Sequence, residues 1–243
     1  MNELTDDNQF SRTERLLGTE AMQRLKKAHV AVFGIGGVGG YVVEALARSG
    51  IFHLDLIDND VVSPSNLNRQ IVALHSTLGQ SKVEVMKKRI LDINPQADVN
   101  TFQCFYLPQN RDQFDFSKYD YVVDAVDTVT AKLQLIEQSK ENSVPIICSM
   151  GAGNKLNPTA FEVTDISKTS VCPLARIVRQ ECKKRGIKNI KVVYSKEKPI
   201  NPQKGDKTDG SSITSSCAFV PSVAGLIIAS EVVKDLINYT EEK

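Results

Sequence analysis

Several features are scarce in this 243-residue chain, and each scarcity narrows the choice of function. No two of its five cysteines form a Cys-x-x-Cys pair, which argues against a zinc site built from four cysteines. An excess of one charge sign is also missing: 30 basic side chains face 29 acidic ones. The resulting net charge of +1 excludes a histone-like or strongly acidic protein.

A long uninterrupted apolar run is missing as well. The longest one, at 217–230, contains Pro221 and Gly225 and is followed by Glu231, so we expect a buried helix rather than a membrane span. The first ten residues, MNELTDDNQF, are acidic and polar and carry no apolar signal segment. Together with an odd number of cysteines, these features predict a protein of the reducing cytoplasm, away from membranes.

The charge is distributed unevenly along the chain. Residues 176–207 contain eleven Lys or Arg and three Asp or Glu, a local charge of +8 that leaves −7 for the remainder. One interpretation is a solvated helix and loop, and the other is a surface for a polyanion such as RNA. Helical spacing would place Arg176, Arg179 and Lys183 on one face, which makes them the candidate RNA-binding residues.

Strand-like and helix-like apolar patterns alternate over about 150 residues, as is typical of a doubly wound, mostly parallel, Rossmann-like α/β sheet. The predicted strands are 29–33, 52–57, 98–103, 119–124 and 144–148, and the predicted helices are 19–27, 38–48, 79–93 and 130–141. After residue 151 we expect strands at 161–163 and 191–194, a basic helix at 173–184, a mobile loop at 195–216 and a C-terminal helix. No boundary divides the chain, so we expect one domain, 1–243.

A glycine motif follows the first predicted strand and opens the next helix. Gly34, Gly36 and Gly39 form Gly-x-Gly-x-x-Gly, and Gly37 lies beside them. Glycine is suited to this place because a Cβ would block the approach of phosphates to backbone N–H groups. A tight turn that binds nothing is the alternative.

Asp58 ends the second predicted strand, 19 residues beyond Gly39, where a carboxylate can accept both ribose hydroxyls. These two features alone favour an NAD-linked oxidoreductase. However, Arg69 and Lys82 suit a triphosphate better, because both cations can bind phosphate oxygens. The alternatives are a surface position for Lys82, an ion pair with an acid for Arg69, and a solvated turn for Asp60.

Asp124 and Asp127 come at the end of the fourth predicted strand. Open α/β sheets bind ligands at this end of their strands, and a carboxylate facing phosphates is a natural Mg²⁺ ligand. The alternative is that Asp127 or Thr128 caps the following helix.

Together these pieces resemble the adenylating domain of the ubiquitin-activating-enzyme-like family, which includes the activators of sulfur-carrier proteins. Seven pieces match in order over about 140 residues: Arg12 before Leu17-Gly18, GIGGVGG at 34–40, LIDND at 56–60, SNLNRQ at 65–70, GQSK at 79–82, INP at 93–95 and DAVD at 124–127. The resemblance implies that the half at 12–151 binds ATP and Mg²⁺ and transfers AMP onto a carboxylate.

The same resemblance implies a role for each matching residue. The glycine loop would hold phosphates, Asp58 the ribose and Asp127 the Mg²⁺ ion, while Arg12 matches an arginine that reaches the partner subunit's site; Arg15 is the alternative. A homodimer is therefore implied. The ATP-binding residues would be Gly34, Gly36, Gly37, Gly39, Asp58, Asp60, Asn66, Arg69, Gln70, Lys82 and Asp127. The catalytic residues would be Arg12, Arg69, Lys82 and Asp127.

The second half of the chain, 152–243, would form the substrate side and decides between branches of the family. Sulfur-carrier activators usually hold zinc with two Cys-x-x-Cys pairs, so we expect no zinc here. Residues 45–50, 149–153, 155–159, 163–169 and 173–175 instead resemble the tRNA threonylcarbamoyladenosine dehydratases. That resemblance implies ATP-dependent cyclisation of the threonylcarbamoyl group beside the anticodon, with release of AMP and pyrophosphate. The implied partners are tRNA and a sulfur-transfer protein.

Two other functions stay open. One is adenylation of the C-terminal glycine of a ubiquitin-like or sulfur-carrier protein, and the other is a non-catalytic nucleotide-binding partner in a sulfur-transfer system. Ring closure within one substrate needs no protein nucleophile. Cys217 and Cys172 are therefore interpreted as incidental thiols, with a catalytic role as the alternative.

Overall fold

The computed structural model describes residues 8–200 and 215–240. The strands are β1 His29–Phe33, β2 His53–Ile57, β3 Asp98–Phe102, β4 Tyr121–Asp124, β5 Ile146–Ser149, β6 Phe161–Asp165 and β7 Lys191–Ser195. The α-helices are α1 Ser11–Leu17, α2 Thr19–Lys27, α3 Gly39–Arg48, α4 Lys82–Ile93, α5 Val129–Glu141, α6 Pro173–Lys184 and α7 Phe219–Leu236.

The seven strands form one sheet in the order β3-β2-β1-β4-β5-β7-β6. All neighbouring pairs are parallel except β6–β7, which is antiparallel. The predicted Rossmann-like, mostly parallel sheet with additional C-terminal strands is therefore confirmed. The chain reverses its direction across the sheet between β1 and β4, and a crevice opens beyond the carboxyl ends of the strands at such a point.

Helices cover both faces of the sheet, which explains why its central strands are almost continuously apolar. Along β1, Val30 and Val32 belong to a core shared with α3, α4 and α7. Ala31 and Phe33 point to the other face and belong to a core shared with α5 and α6. Because helices cover both faces of the sheet, we look for a ligand-binding site at its carboxyl edge.

The apolar run at 217–230 lies largely in α7, which packs along α3. Val220, Ala224 and Ile228 are fully buried, and a Cβ on Gly225 would overlap the carbonyl oxygen of Val38. The predicted buried helix is thus present. Within residues 8–200 and 215–240, no helix combines the length and apolar character needed to cross a membrane.

Two departures from the sequence prediction have a clear physical cause, and the bounds of several other elements differ from the predicted ones by one or two residues. The helix predicted at 79–93 begins three residues later, at Lys82, because Gly79 has a φ of +78° and Val61 bridges to Ser81. Helix α1 was not predicted because it buries no residue and so carries no apolar stripe. Most of the predicted mobile loop at 195–216, namely 201–214, lies outside the described residues.

Candidate active site

A cleft of about 620 Å³ opens at the carboxyl ends of β1, β2, β4 and β5. The structure brings the predicted ATP-binding residues together there: all of them except Gly39 line this cleft. Residues 149–153, which begin with the last residue of β5, form its other wall, and the residues after β3, at 104–107, complete the β2 side. Pieces far apart in the sequence therefore meet at one edge of the sheet.

The glycine loop packs tightly against the turn that follows β4. Gly34 has a φ of +90°, and a Cβ there would lie 2.7 Å from the carbonyl oxygen of Ala125. A Cβ on Gly39 would overlap the carbonyl oxygen of Gly34. Gly39 thus allows α3 to start close to β1, whereas Gly36 and Gly37 face the cleft, where a phosphate would lie.

Asp58 is held in place by backbone groups at the end of β2. Its Oδ2 accepts a hydrogen bond from the Ile35 N–H at 2.6 Å, and its Oδ1 accepts one from the Asp60 N–H at 2.8 Å. Burial raises the pKa of the Asp58 carboxyl, although the nearby Lys82 ammonium opposes this. The fixed carboxylate retains acceptor capacity for two ribose hydroxyls.

Lys82 is buried at the start of α4, with only 4% of its surface exposed, so the alternative of a surface lysine is wrong. Its Nζ lies 2.7 Å from Asp60 Oδ2. Asp60 is accordingly more than a solvated turn residue, because it holds the ammonium at the cleft. A phosphate that entered could share this ammonium with Asp60.

The segment 65–70 presents one cation and one unpaired amide to the glycine loop. Arg69 Nη1 donates to Ser65 O and Asn68 Oδ1, and Arg69 forms no ion pair within the described part of the chain. Its other N–H groups are left for an anion. Asn66 Oδ1 accepts from the Ser63 N–H and so shapes the turn. The buried Oε1 of Gln70 has no hydrogen-bond partner there, as expected of a group that a ligand would satisfy.

Asp127 is exposed in the turn after β4, and its carboxylate is nearly uncommitted. Its Oδ1 accepts only from Thr128 Oγ1, at 3.4 Å, in the part of the chain described. Thr128 occupies the N-cap position of α5 without a capping side-chain bond, so the capping alternative is not supported. Mg²⁺ in nucleotide sites is usually held by one or two carboxylates together with phosphates and water. An uncommitted carboxylate that lines the same cleft as the glycine loop fits that requirement.

Beneath Asp127 lies a buried ion pair that the sequence analysis missed. Lys132 Nζ, on α5, donates to Asp124 Oδ2 at 2.6 Å and to Ser149 O at 2.9 Å, and both charged side chains are fully buried. Asp124 Oδ1 accepts from the Val126 N–H at 3.2 Å. The pair therefore ties the turn that carries Asp127 to the end of β5. A lysine at the third position of a predicted helix gave no sign of burial.

We expect Lys132→Met to lower the free energy of unfolding by about 3–5 kcal/mol, because it leaves the Asp124 carboxylate buried and unpaired. Urea denaturation followed by circular dichroism measures this. Lys140→Met, at an exposed position of the same helix, serves as the control and should change stability by less than about 0.5 kcal/mol. Equal effects of the two substitutions would contradict a structural role for the pair.

Arg12 lies away from its own chain's cleft. It is on the exposed helix α1, which is anchored by Phe10 against Phe52, with ring centroids 5.6 Å apart. Phe52 precedes the amino end of β2, and the cleft lies at the carboxyl end, a five-residue strand of ~16 Å away. Arg15 is on the same helix and therefore also lies away from the cleft. Neither arginine lines the cleft.

Two of the three candidate RNA-binding residues are exposed on α6, namely Arg176 and Lys183. Arg179 is half-buried instead, and its Nη1 donates to Thr169 O at 2.6 Å and Thr169 Oγ1 at 2.7 Å. Thr169 precedes a turn in which Val171 has a φ of +60°, a conformation that β-branched residues seldom adopt. The guanidinium of Arg179 thus stabilises this turn through its two hydrogen bonds to Thr169.

No cluster of three or more His, Cys, Asp or Glu side chains within the described ranges is arranged to hold a metal ion. The five cysteines are free thiols. Cys172 is buried, and Cys217 is half-buried with its Sγ 3.8 Å from Lys155 O. Neither thiol lines the cleft, whereas the Asp127 carboxylate does.

A doubly wound sheet whose carboxyl edge carries a glycine loop, a fixed carboxylate and two cations is typical of a nucleotide-binding α/β protein. Residues 10–243 match the ThiF family, and the chain belongs to that family. The tRNA threonylcarbamoyladenosine dehydratase of Bacillus subtilis is 45% identical over 247 residues, which cover 97% of each chain. The crystal structure of Escherichia coli tRNA N6-threonylcarbamoyladenosine dehydratase in complex with ATP superposes with a TM-score of 0.87 at 36% identity, covering 95% of this chain and 94% of that one. The adenylyltransferase and sulfurtransferase UBA4 of Candida glabrata is 30% identical over 155 residues, covering 64% of this chain and 36% of its own length.

Proposed function

We propose that this protein is an ATP-dependent tRNA threonylcarbamoyladenosine dehydratase, in which 12–151 bind ATP and 152–243 form the substrate side. The observation that carries the proposal is the cleft itself, where Lys82, Arg69 and an uncommitted Asp127 surround the glycine loop. Similarity to the Bacillus subtilis dehydratase extends along the whole chain, which supports this branch of the family over others.

The first step is adenylation of the threonyl carboxylate. The carboxylate oxygen attacks the α-phosphorus of ATP, the bond to the β-phosphate oxygen breaks, and pyrophosphate leaves. Lys82 and Arg69 stabilise the charge that develops on the phosphates. Asp127 would hold Mg²⁺, and the ion would supply positive charge that offsets part of the charge on the phosphates. Asp58 orients the nucleotide through the ribose.

The second step closes the ring within the same threonylcarbamoyl side chain. AMP is a far better leaving group than oxide, and the attacking atom is already tethered close to the acyl carbon. A protein nucleophile is therefore unnecessary. The environments of Cys172 and Cys217 agree with this, since the first is buried and the second contacts a backbone carbonyl.

Activation of a ubiquitin-like or sulfur-carrier protein is the alternative function. UBA4 of Candida glabrata represents that branch, but its similarity covers only part of this chain. The missing Cys-x-x-Cys pairs count against the alternative. A non-catalytic nucleotide-binding role is disfavoured by the intact Arg69, Lys82 and Asp127 set.

AMP release during incubation with ATP tests the three functions against each other. We expect release with tRNA that carries threonylcarbamoyladenosine and a mass loss of one water from that nucleoside. Unmodified tRNA of the same sequence is the control. Release with a carrier protein but not with tRNA would establish the alternative, and release with neither would leave a non-catalytic role.

We propose that the tRNA backbone binds along the basic face of α6. Neutralising Arg176, Arg179 and Lys183 with glutamine is expected to raise the KM for tRNA and leave ATP binding unchanged. For the double variant at Arg176 and Lys183, the slope of the log binding constant against the log salt concentration should shrink by about one unit for each phosphate contact removed. Arg179→Gln alone is the comparison: because this side chain holds Thr169, it should leave the slope unchanged. If both the double and the triple variant kept the parental slope, the basic side chains of α6 would face solvent and would not contact tRNA phosphates.

A further inference from the structure

The loop at 149–153, which begins with the last residue of β5 and ends shortly before Lys155, forms the wall of the cleft beyond the phosphates. Asp58 at the end of β2 marks the ribose end, and the glycine loop and Asp127 lie at the ends of β1 and β4. Since β5 is the next strand in the sheet, the loop that follows it lies on the far side of the phosphates. The acyl group joins the α-phosphorus on the side opposite to the departing pyrophosphate. Arg69, beside Gly37 after β1, and Lys82, beside Asp60 after β2, would hold the pyrophosphate, so the acyl group would lie on the β5 side, against this loop.

Lys155 lies behind the loop and does not line the cleft. Only 4% of its surface is exposed, and its Nζ donates to the carbonyl oxygens of Gly151 at 2.9 Å and Gly153 at 3.4 Å. It forms no ion pair with a carboxylate of the described residues. Burial lowers the pKa of Lys155, while Cys172 and Glu197 nearby oppose the change. A buried ammonium without a carboxylate partner is costly, and the two carbonyl oxygens offset part of that cost.

The orientation of these carbonyls fixes the direction of one backbone donor. In a trans peptide the N–H points opposite to the preceding C=O. Because the Gly151 carbonyl points to Lys155, the Ala152 N–H points away from Lys155, toward the cleft that Ala152 lines. Within the described ranges, the Gly151, Ala152 and Gly153 N–H groups donate to no acceptor.

Both ends of the loop are fastened, so its conformation is fixed before any ligand binds. The Met150 N–H donates to Val193 O at 2.8 Å, on β7. The Asn154 N–H donates to Ser215 O at 2.8 Å, and Asn154 Oδ1 accepts from the Ser215 N–H at 2.8 Å. Between these anchors, the Lys155 ammonium is what sets the carbonyl directions.

We infer that Lys155 is a positioning residue, which presents the Ala152 N–H to the acyl oxygen of the adenylated threonyl group; this rests on the proposed function. During ring closure a heteroatom of the carbamoyl group forms a bond to the acyl carbon, and its proton passes to water. Negative charge develops on the acyl oxygen, and the bond to the AMP oxygen then breaks. A fixed N–H donor stabilises that oxyanion, and such a donor typically contributes about 10²–10³-fold in rate.

Substitution of Lys155 tests the inference by separating the two chemical steps. Lys155→Met should lower kcat for cyclised tRNA about a hundred-fold. The KM for ATP and the tRNA-dependent exchange of pyrophosphate into ATP should stay within about two-fold, because adenylation does not use this donor. Lys155→Gln, whose amide can still reach a carbonyl, should lose only about ten-fold in kcat. Lys118→Met, at an exposed lysine paired with Asp115, is the control.

The results have distinct meanings. An unchanged kcat in Lys155→Met, or equal losses in cyclisation and exchange, would overturn the inference. Should Lys155→Met not fold, Lys155→Gln carries the same comparison, with a selective loss in kcat required. Faster backbone hydrogen exchange at 149–153 in the ligand-free variant is a further requirement. A parent protein that releases no AMP with modified tRNA would refute the proposed function itself, whereas an active parent and an unaffected variant refute only the role of Lys155.

Discussion

Replacing Asp127 with alanine is expected to abolish AMP release while the protein stays folded. Its carboxylate is exposed at the cleft and accepts only a long bond from Thr128 among the described residues, so its removal breaks little within the fold. A bound divalent ion stabilises the charge of phosphoryl transfer by several kcal/mol. Losing that stabilisation corresponds to a rate reduction of about 10³-fold. The measurement is AMP release at saturating ATP and tRNA, over a range of Mg²⁺ concentrations.

Two variants make this expectation specific. Asp127→Asn keeps the side-chain volume but removes the charge, so it should lose nearly as much activity as Asp127→Ala. Asp112→Ala, at a side chain that is 99% exposed on another loop, should retain parental turnover. Thermal unfolding of each variant reports the fold independently. A well-folded Asp127→Ala protein with near-parental AMP release would refute the metal-ligand assignment.

The sequence allowed the sheet to be predicted because its strands are short, apolar and separated by helices with clear periodicity. His29–Phe33 and Pro173–Lys184 were predicted with their observed boundaries. Helix α1 escaped prediction since no residue of it is buried, and periodicity reports only faces that pack. The site could be predicted because the carboxyl ends of parallel strands lie at one edge of the sheet. The motifs that follow β1, β2 and β4 therefore converge there.

The residues that were missed have partners distant in sequence. Lys132, on helix α5, binds Asp124 and Ser149 at the ends of two strands, and Lys155 binds the carbonyls of a loop that has no side-chain motif. A lysine in a sequence is most often a solvated residue, and only the packing of the sheet shows which ones are buried. Arg179 is the reverse case, since its helical spacing suggested a solvent face and Thr169 supplies its partner.

The position of Arg12 bears on the expected quaternary structure. Its helix is anchored at the amino edge of β2, whereas the cleft is at the carboxyl edge, so the residue cannot act in its own chain without a rearrangement of α1. Leu16, one turn further along the same helix, is 82% exposed. We propose that α1 packs against a second copy of the chain in a homodimer and delivers Arg12 to the partner's triphosphate.

Mixing two inactive variants, Arg12→Ala and Lys82→Ala, is therefore expected to restore activity. In a mixed dimer one cleft lacks both groups, while the other has its own Lys82 and receives Arg12 from the partner. Random exchange makes half of the dimers mixed, each with one intact cleft, so about a quarter of parental sites should recover. The measurement is AMP release before and after exchange, with exchange verified by mass spectrometry of differently tagged subunits.

Mixing Arg69→Ala with Lys82→Ala is the control and should restore nothing, because both groups line the cleft of one chain. Verified exchange without recovery in the Arg12 mixture would contradict action in trans, and α1 would then have to move to bring Arg12 to its own cleft.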